Sequence, residues 1–255
     1  MTFHKAKDPA SRTVLAVPVT TDSRKFRCRR DDADIGIRHS ILNDCEDLTV
    51  RPVNLFIANA GGTLDFLVDD INEAFQAAVT PAKEVLGLEG VDVLVIDAPD
   101  DVIPEWGVGG YTYGPHAILV ALEPSATVDR HHIERTLVHE FHHTMRWRGQ
   151  GCGGSLGQML VSEGMAELFE EQVLGEAPFF SRVSITDDEI AAARAVLYEP
   201  VFNQKKWFFG ADGITFSFGY AYGYQVCRAY ANATGKSASE LIGVSSREVL
   251  EVGIQ

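Results

Sequence analysis

The stretch LVHEFHHTMRW, residues 137–147, packs three histidines and one glutamate into five consecutive positions, His139-Glu140-Phe141-His142-His143. Around it, Ile133, Leu137, Phe141 and Met145 recur every four residues. That spacing predicts a helix over about 130–147 with one buried stripe. On such a helix His139 and His143 stand one turn apart on a common face. Two imidazoles so arranged can each give a nitrogen to one zinc ion. Glu140 falls at the edge of the same face, where it can reach a metal-bound water without itself ligating.

This His-Glu-x-x-His spacing is the one by which zinc peptidases carry metal and base on a single helix. A catalytic zinc also needs a third protein ligand and an open fourth position. Glu163, in SEGMAE (162–167), lies twenty residues beyond His143 on what reads as the next helix. Between the two helices, Gly149, Gly151, Gly153, Gly154 and Gly157 allow a tight return. Glu167, four residues after Glu163, shares its face and is placed to accept the outward N–H of a ligand histidine. Glu170 and Glu171 read as a solvated acidic face. His142, about 100° around the helix from His143, is expected to support the site or face solvent rather than to ligate. Trp147 is expected to pack under the site, and His116, His131 and His132 to be surface or capping residues.

Working outward, VNLFIANA (53–60), VDVLVIDAP (91–99) and AILVALEP (117–124) read as buried strands. A helical pattern over LDFLVDDINEAFQAAVTPAKEVLGL carries apolar Leu67, Ile71, Ala74, Phe75 and Ala78, with Pro81 expected to kink or end it. GVGGYTYGPHAI is the expected accessible sheet edge, where an extended substrate can pair and where Tyr111 and Tyr113 are candidate substrate-binding residues. From Ser155 onward nearly everything reads helical. The fold class is therefore α+β, a mixed-sheet N-terminal lobe followed by a helical one. Residues 1–48 read as an irregular N-terminal extension. The domain proper is expected over 49–255, with the sheet lobe at 49–150 and the helical lobe at 151–255.

The formal net charge of −14 argues against nucleic acid or an anionic membrane as partner. No apolar run approaches the roughly 20 residues that span a bilayer. The N-terminus lacks a signal-peptide core, since Val14 to Val19 is short and broken by Pro18. The four cysteines (Cys28, Cys45, Cys152, Cys227) form no Cys-x-x-Cys pair, and free thiols in a cytoplasmic protein are expected. The sequence leaves oligomeric state open.

HEFHH followed by SEGMAE resembles the glutamate zincins, the thermolysin-like group, whose pattern is His-Glu-x-x-His and then Glu-x-x-x-Asp/Glu about twenty residues later. More narrowly, HEFHHTMRW, LVSEGMAELFEEQVLG and FGYAYGYQVCRAY together resemble a family of predicted zinc-dependent proteases catalogued as a domain of unknown function, over roughly residues 85–255. The resemblance implies a zincin-like fold and one zinc per chain held by His139, His143 and Glu163. It implies Glu140 as general base and later proton donor, Glu167 as the carboxylate behind a ligand, and a peptide or protein as substrate. The group often has Asp where Glu167 stands, one methylene shorter. An oxyanion needs a further donor, and Tyr220 or Tyr224 is the candidate, each preceded by a glycine that permits close approach of another backbone. The alternative reading is a zinc-binding module without peptidase activity, against which the intact Glu140 argues.

Overall fold

The structure is a computed structural model that describes residues 50–254 apart from Glu105 and Ala126. The expected N-terminal extension over 1–48, with Cys28 and Cys45, lies outside the described residues. The sheet begins with β1 (Val53–Ala58), β2 (Val91–Asp97), β3 (Val108–Gly114) and β4 (Ala117–Leu122), in the spatial order β1-β2-β4-β3. β1, β2 and β4 run parallel, and β3 turns back antiparallel on β4. β3 is thus an edge strand, as its glycine-rich sequence suggests, and among the described residues its outer side meets only an isolated bridge from Ile103 to Val108, which leaves the part beyond Gly109 without a strand beside it.

One face of the sheet is buried, through Val91, Val93 and Val95 of β2 and Ile118 and Val120 of β4. Strand alternation puts their neighbours on the opposite face, where Phe56, Leu94 and Tyr111 are exposed. Two helices cover the buried face. The first, α1 (Val68–Leu86), buries Ile71, Ala74, Phe75, Ala78, Val79 and Ala82. It does not end at Pro81. The ring takes only the hydrogen bond that residue 81 would donate to the Ala77 carbonyl, and the helix runs on to its cap at Gly87.

The second is α2 (Arg130–Trp147), the helix of the opening stretch. Asp129 caps it by accepting from the His131 backbone N–H at 2.8 Å. Ile133, Leu137 and Phe141 are fully buried, and the Phe141 ring meets Phe75 edge-on at 6.3 Å. Each such side chain contributes about 1.5–3 kcal/mol of burial, enough to fix which face of α2 turns away from the sheet's core and carries the polar residues. Trp147, at the last turn, is 44% exposed and does not underlie the site. The helix ends there, which leaves that ring partly in solvent.

The helical part comprises α3 (Leu156–Leu174), α4 (Asp187–Arg194), α5 (Gln204–Phe208), α6 (Phe218–Thr234) and α7 (Ser246–Gly253). A capping box between Ser155 and Gln158 starts α3. This helix is buried on nearly every side between α2, α6 and α7. Arg146 of α2, also buried, ties the C-terminal segment to α2 by donating to the Val244 carbonyl at 3.1 Å and Ser246 Oγ at 2.8 Å. Cys152 and Cys227 are free thiols. No helix of the described residues is long and apolar enough to cross a membrane.

α3 and α6 cross backbone to backbone. A Cβ at Gly164 would lie 2.1 Å from the Gly223 carbonyl oxygen, and one at Gly223 would lie 2.2 Å from that of Leu160. The close backbone approach anticipated from the Gly-Tyr pairs of α6 is realised at Gly223, whereas Gly219 lies against the Phe208 ring. Gly164→Ala must push the helices apart, which belongs at the upper end of overpacking costs, about 3 kcal/mol. A melting temperature lower by about 6–12 °C is expected in calorimetry, at about 2–4 °C per kcal/mol for a chain of this size. An unchanged melting temperature would mean that the crossing has slack.

Candidate metal centre

α2 and α3 run in opposite directions, so successive turns of one face successive turns of the other. Arg135 meets Glu170, His139 meets Glu170 and Glu163, and His143 meets Glu163 and Ser162. The sequence thus brings together His139, His143 and Glu163 as expected, and their donor atoms form a tight triangle. The His139 and His143 Nε2 atoms are 3.0 Å apart. Glu163 Oε2 is 3.1 Å from the first and 3.4 Å from the second.

Both imidazoles are held from behind. His139 Nδ1 lies 2.6 Å from Glu170 Oε1, and a carboxylate oxygen only accepts, so Nδ1 carries the hydrogen and Nε2 a lone pair. His143 Nδ1 stands 3.2 Å from Ser162 Oγ, which can accept in the same way. Three lone pairs therefore converge on one point, an arrangement that repels itself unless a cation or protons lie between. Donors about 2.0–2.1 Å from a common tetrahedral centre are separated by about 3.3 Å, so the triangle fits zinc.

The electrostatics agree. Burial opposes charge on His143, but the Glu163 carboxylate and a hydrogen bond with Cys152 together outweigh it and push the imidazole up to about 10. Burial likewise opposes charge on His139, and hydrogen bonds to Glu163 and Glu170 raise it well above its ordinary value. Glu163 loses solvation too, yet the two imidazoles hold its carboxyl well below the usual carboxylate range. The pocket favours positive charge at its centre.

Two expectations are corrected. Glu167 does not reach His139, since neither of its oxygens has a hydrogen-bond partner among the described residues. Burial, then the neighbouring Glu170 and Glu163 carboxylates, push its pKa well up, toward the neutral acid. Glu170 takes the histidine instead, and it is buried rather than solvated. Seven residues bring a helix within about 20° of where it began, whereas four overshoot by about 40°. Glu170 is therefore better aligned with Glu163 than Glu167 is. The Arg135 guanidinium donates to its other oxygen at 3.0 Å. Glu171 is partnered as well, by Arg228 and by the Tyr224 hydroxyl, which donates to it at 2.7 Å.

Glu140 is buried and its carboxylate lies against β3, where Thr112 Oγ1 donates to Oε2 at 2.6 Å. Tyr220 stacks on Phe180 at 4.8 Å and meets Phe208 edge-on. Burial, then the charge of Glu163, raises its phenol well above the ordinary value, so it keeps its proton beside the site. Tyr224 is committed to Glu171 and Arg228, leaving Tyr220 as the tyrosine turned toward the carboxylates.

Tyr111 and Tyr113 are not brought to the cluster. Alternation sets them on the face of β3 opposite Thr112, 60% and 62% exposed and packed on each other at 4.7 Å. His142 is neither ligand nor surface residue. It is fully buried beside Phe169, and burial followed by the adjacent His143 and Arg146 holds it well below its ordinary pKa. His132 stacks on Trp106, and His116 pairs with the Gly90 carbonyl. Glu170, Arg135, Ser162 and Thr112 join the site without being site candidates from the sequence. For Arg135 and Glu170 a signal exists, one turn before His139 and two turns after Glu163.

A family model described as "Predicted Zn-dependent protease (DUF2268)" matches residues 71–251, well over half of the chain. The matched span holds β2 to β4 and helices α2 to α6, and with them every residue of the cluster. No curated protein matches the chain.

Proposed function

This chain belongs to the family of predicted zinc-dependent proteases, and from that premise we propose that it hydrolyses peptide bonds at a single zinc held by His139, His143 and Glu163. The observation that carries the reading is the triangle of donor atoms 3.0–3.4 Å apart, each imidazole anchored from behind, with the Glu140 carboxylate on the same helix. When bound, zinc supplies a Lewis acid that acidifies water and polarises a carbonyl.

Glu140 takes the proton of the attacking water and returns it to the leaving amine, the two halves of one general acid–base cycle. Tyr220, kept protonated, donates a hydrogen bond to the developing oxyanion. Glu170 fixes the tautomer of His139 and Arg135 fixes Glu170. The peptide lies extended along the free edge of β3.

The test measures bound metal by mass spectrometry and cleavage of a library of internally quenched fluorescent peptides, with and without chelator. The expected result is near one zinc per chain and cleavage that chelator abolishes and zinc restores. Zinc without cleavage favours the non-enzymatic module, and a chain that binds no zinc when it is offered overturns both.

A further inference from the structure

The proposed base does not hang free in the cleft. Glu140 projects from α2 onto the inner face of β3, where two residues a pleat apart, Gly110 and Thr112, are shaped to it. Thr112 Oγ1 is 2.6 Å from Glu140 Oε2 and 3.1 Å from the Glu140 backbone oxygen. A hydroxyl has one hydrogen to give, and the nearer, charged oxygen is the stronger acceptor. That carbonyl already has an acceptor's place in the helix, whereas Oε2 has no other partner among the described residues. At Gly110, a Cβ would stand 2.7 Å from Glu140 Oε1 and 2.8 Å from its Cγ. Gly110 itself is exposed, and its bare backbone leaves Oε1 the room that a Cβ would take. One oxygen is thus tied and the other left open.

We propose that Thr112 is a positioning residue for Glu140, its hydroxyl holding one carboxylate oxygen while the missing side chain at Gly110 keeps the other open to the attacking water. The edge strand then carries two duties, an outer side free to pair with substrate and an inner side that aims the base. This rests on Glu140 acting as the base. The threonine acts through the glutamate and touches neither zinc nor substrate.

The test compares zinc-loaded full-length wild type, Thr112→Val and Thr112→Ser. Valine keeps the shape and removes the donor, and serine keeps the donor. Loss of a hydrogen bond to a charged group is expected to lower kcat roughly ten- to a hundredfold, with KM on the best-cleaved library peptide and zinc content unchanged. Serine should restore kcat to within about threefold of wild type. Crystal structures of the three zinc-loaded proteins give a readout independent of turnover. The Glu140 carboxylate should leave its place against residue 112 in the valine variant and keep it in the serine variant. A carboxylate that stays put in Thr112→Val overturns the inference whether or not any peptide is cleaved. So does a valine variant with wild-type kcat, while wild type that binds zinc but cleaves nothing counts against the peptidase reading alone.

Discussion

Glu140→Gln is expected to keep its zinc and lose peptide hydrolysis by about three orders of magnitude, in the middle of the range that positioned acid–base groups supply. Glutamine has nearly the same size, and its amide oxygen can still accept from Thr112, so the side chain stays where it is. It cannot take a proton. The loss therefore falls on kcat, about 4 kcal/mol at the barrier, with KM and metal content close to wild type. A variant that keeps a tenth of wild-type turnover would sink the mechanism. The prediction also couples to the edge strand. If Thr112 matters only by aiming Glu140, Thr112→Val should cost little more once Glu140 is Gln, so the two losses should be far from additive. Additive losses would place Thr112 elsewhere in the reaction.

What the sequence disclosed and what it withheld divide along physical lines. Strands β1, β2 and β4 were legible as continuous apolar runs, and α2 as a stripe of residues four apart, because burial imposes those periods directly. The cluster of His139, His143 and Glu163 was legible because two lie on one helix turn and the third at a spacing that a glycine-rich return allows. Glu170 was not, since a glutamate among glutamates looks solvated until the direction of α3 against α2 is known. That direction sets Arg135 and His139 against it. Thr112 and Gly110 were read only as part of an accessible edge. The contact of Thr112 with Glu140 joins a strand to a helix 28 residues later, which no local period records. Tyr111 and Tyr113 stand apart from the cluster for a simpler reason, because the alternation that brings Thr112 inward turns both tyrosines outward. The short helix α5 escaped as well, its aromatic run Trp207-Phe208-Phe209 having no helical period to read.

The correction at α3 makes a ranking that three substitutions can test, read as zinc affinity by competition with a chelator. Glu163→Ala removes a ligand and the only carboxylate facing both Nε2 atoms among the described residues. A quarter of the about 10–16 kcal/mol by which four donors hold a structural zinc is about 2.5–4 kcal/mol, so affinity should fall by roughly 10²–10³-fold. Glu170→Ala leaves all three ligands but frees His139 to turn and to choose its tautomer, and the loss of such a supporting carboxylate typically weakens binding about 10–100-fold. It also leaves Arg135 buried with only the more distant Glu176, 3.4 Å away, so some loss of stability accompanies it. Glu170→Gln, which can still accept from His139 Nδ1, should recover part of the affinity. Glu167→Gln should change it by less than about threefold, because burial already holds that carboxyl neutral and no hydrogen bond joins it to a ligand. Equal losses for Glu163→Ala and Glu170→Ala would mean that the wrong glutamate has been taken as the ligand. A large loss for Glu167→Gln would mean that α3 turns on metal binding and hands His139 from one glutamate to the other.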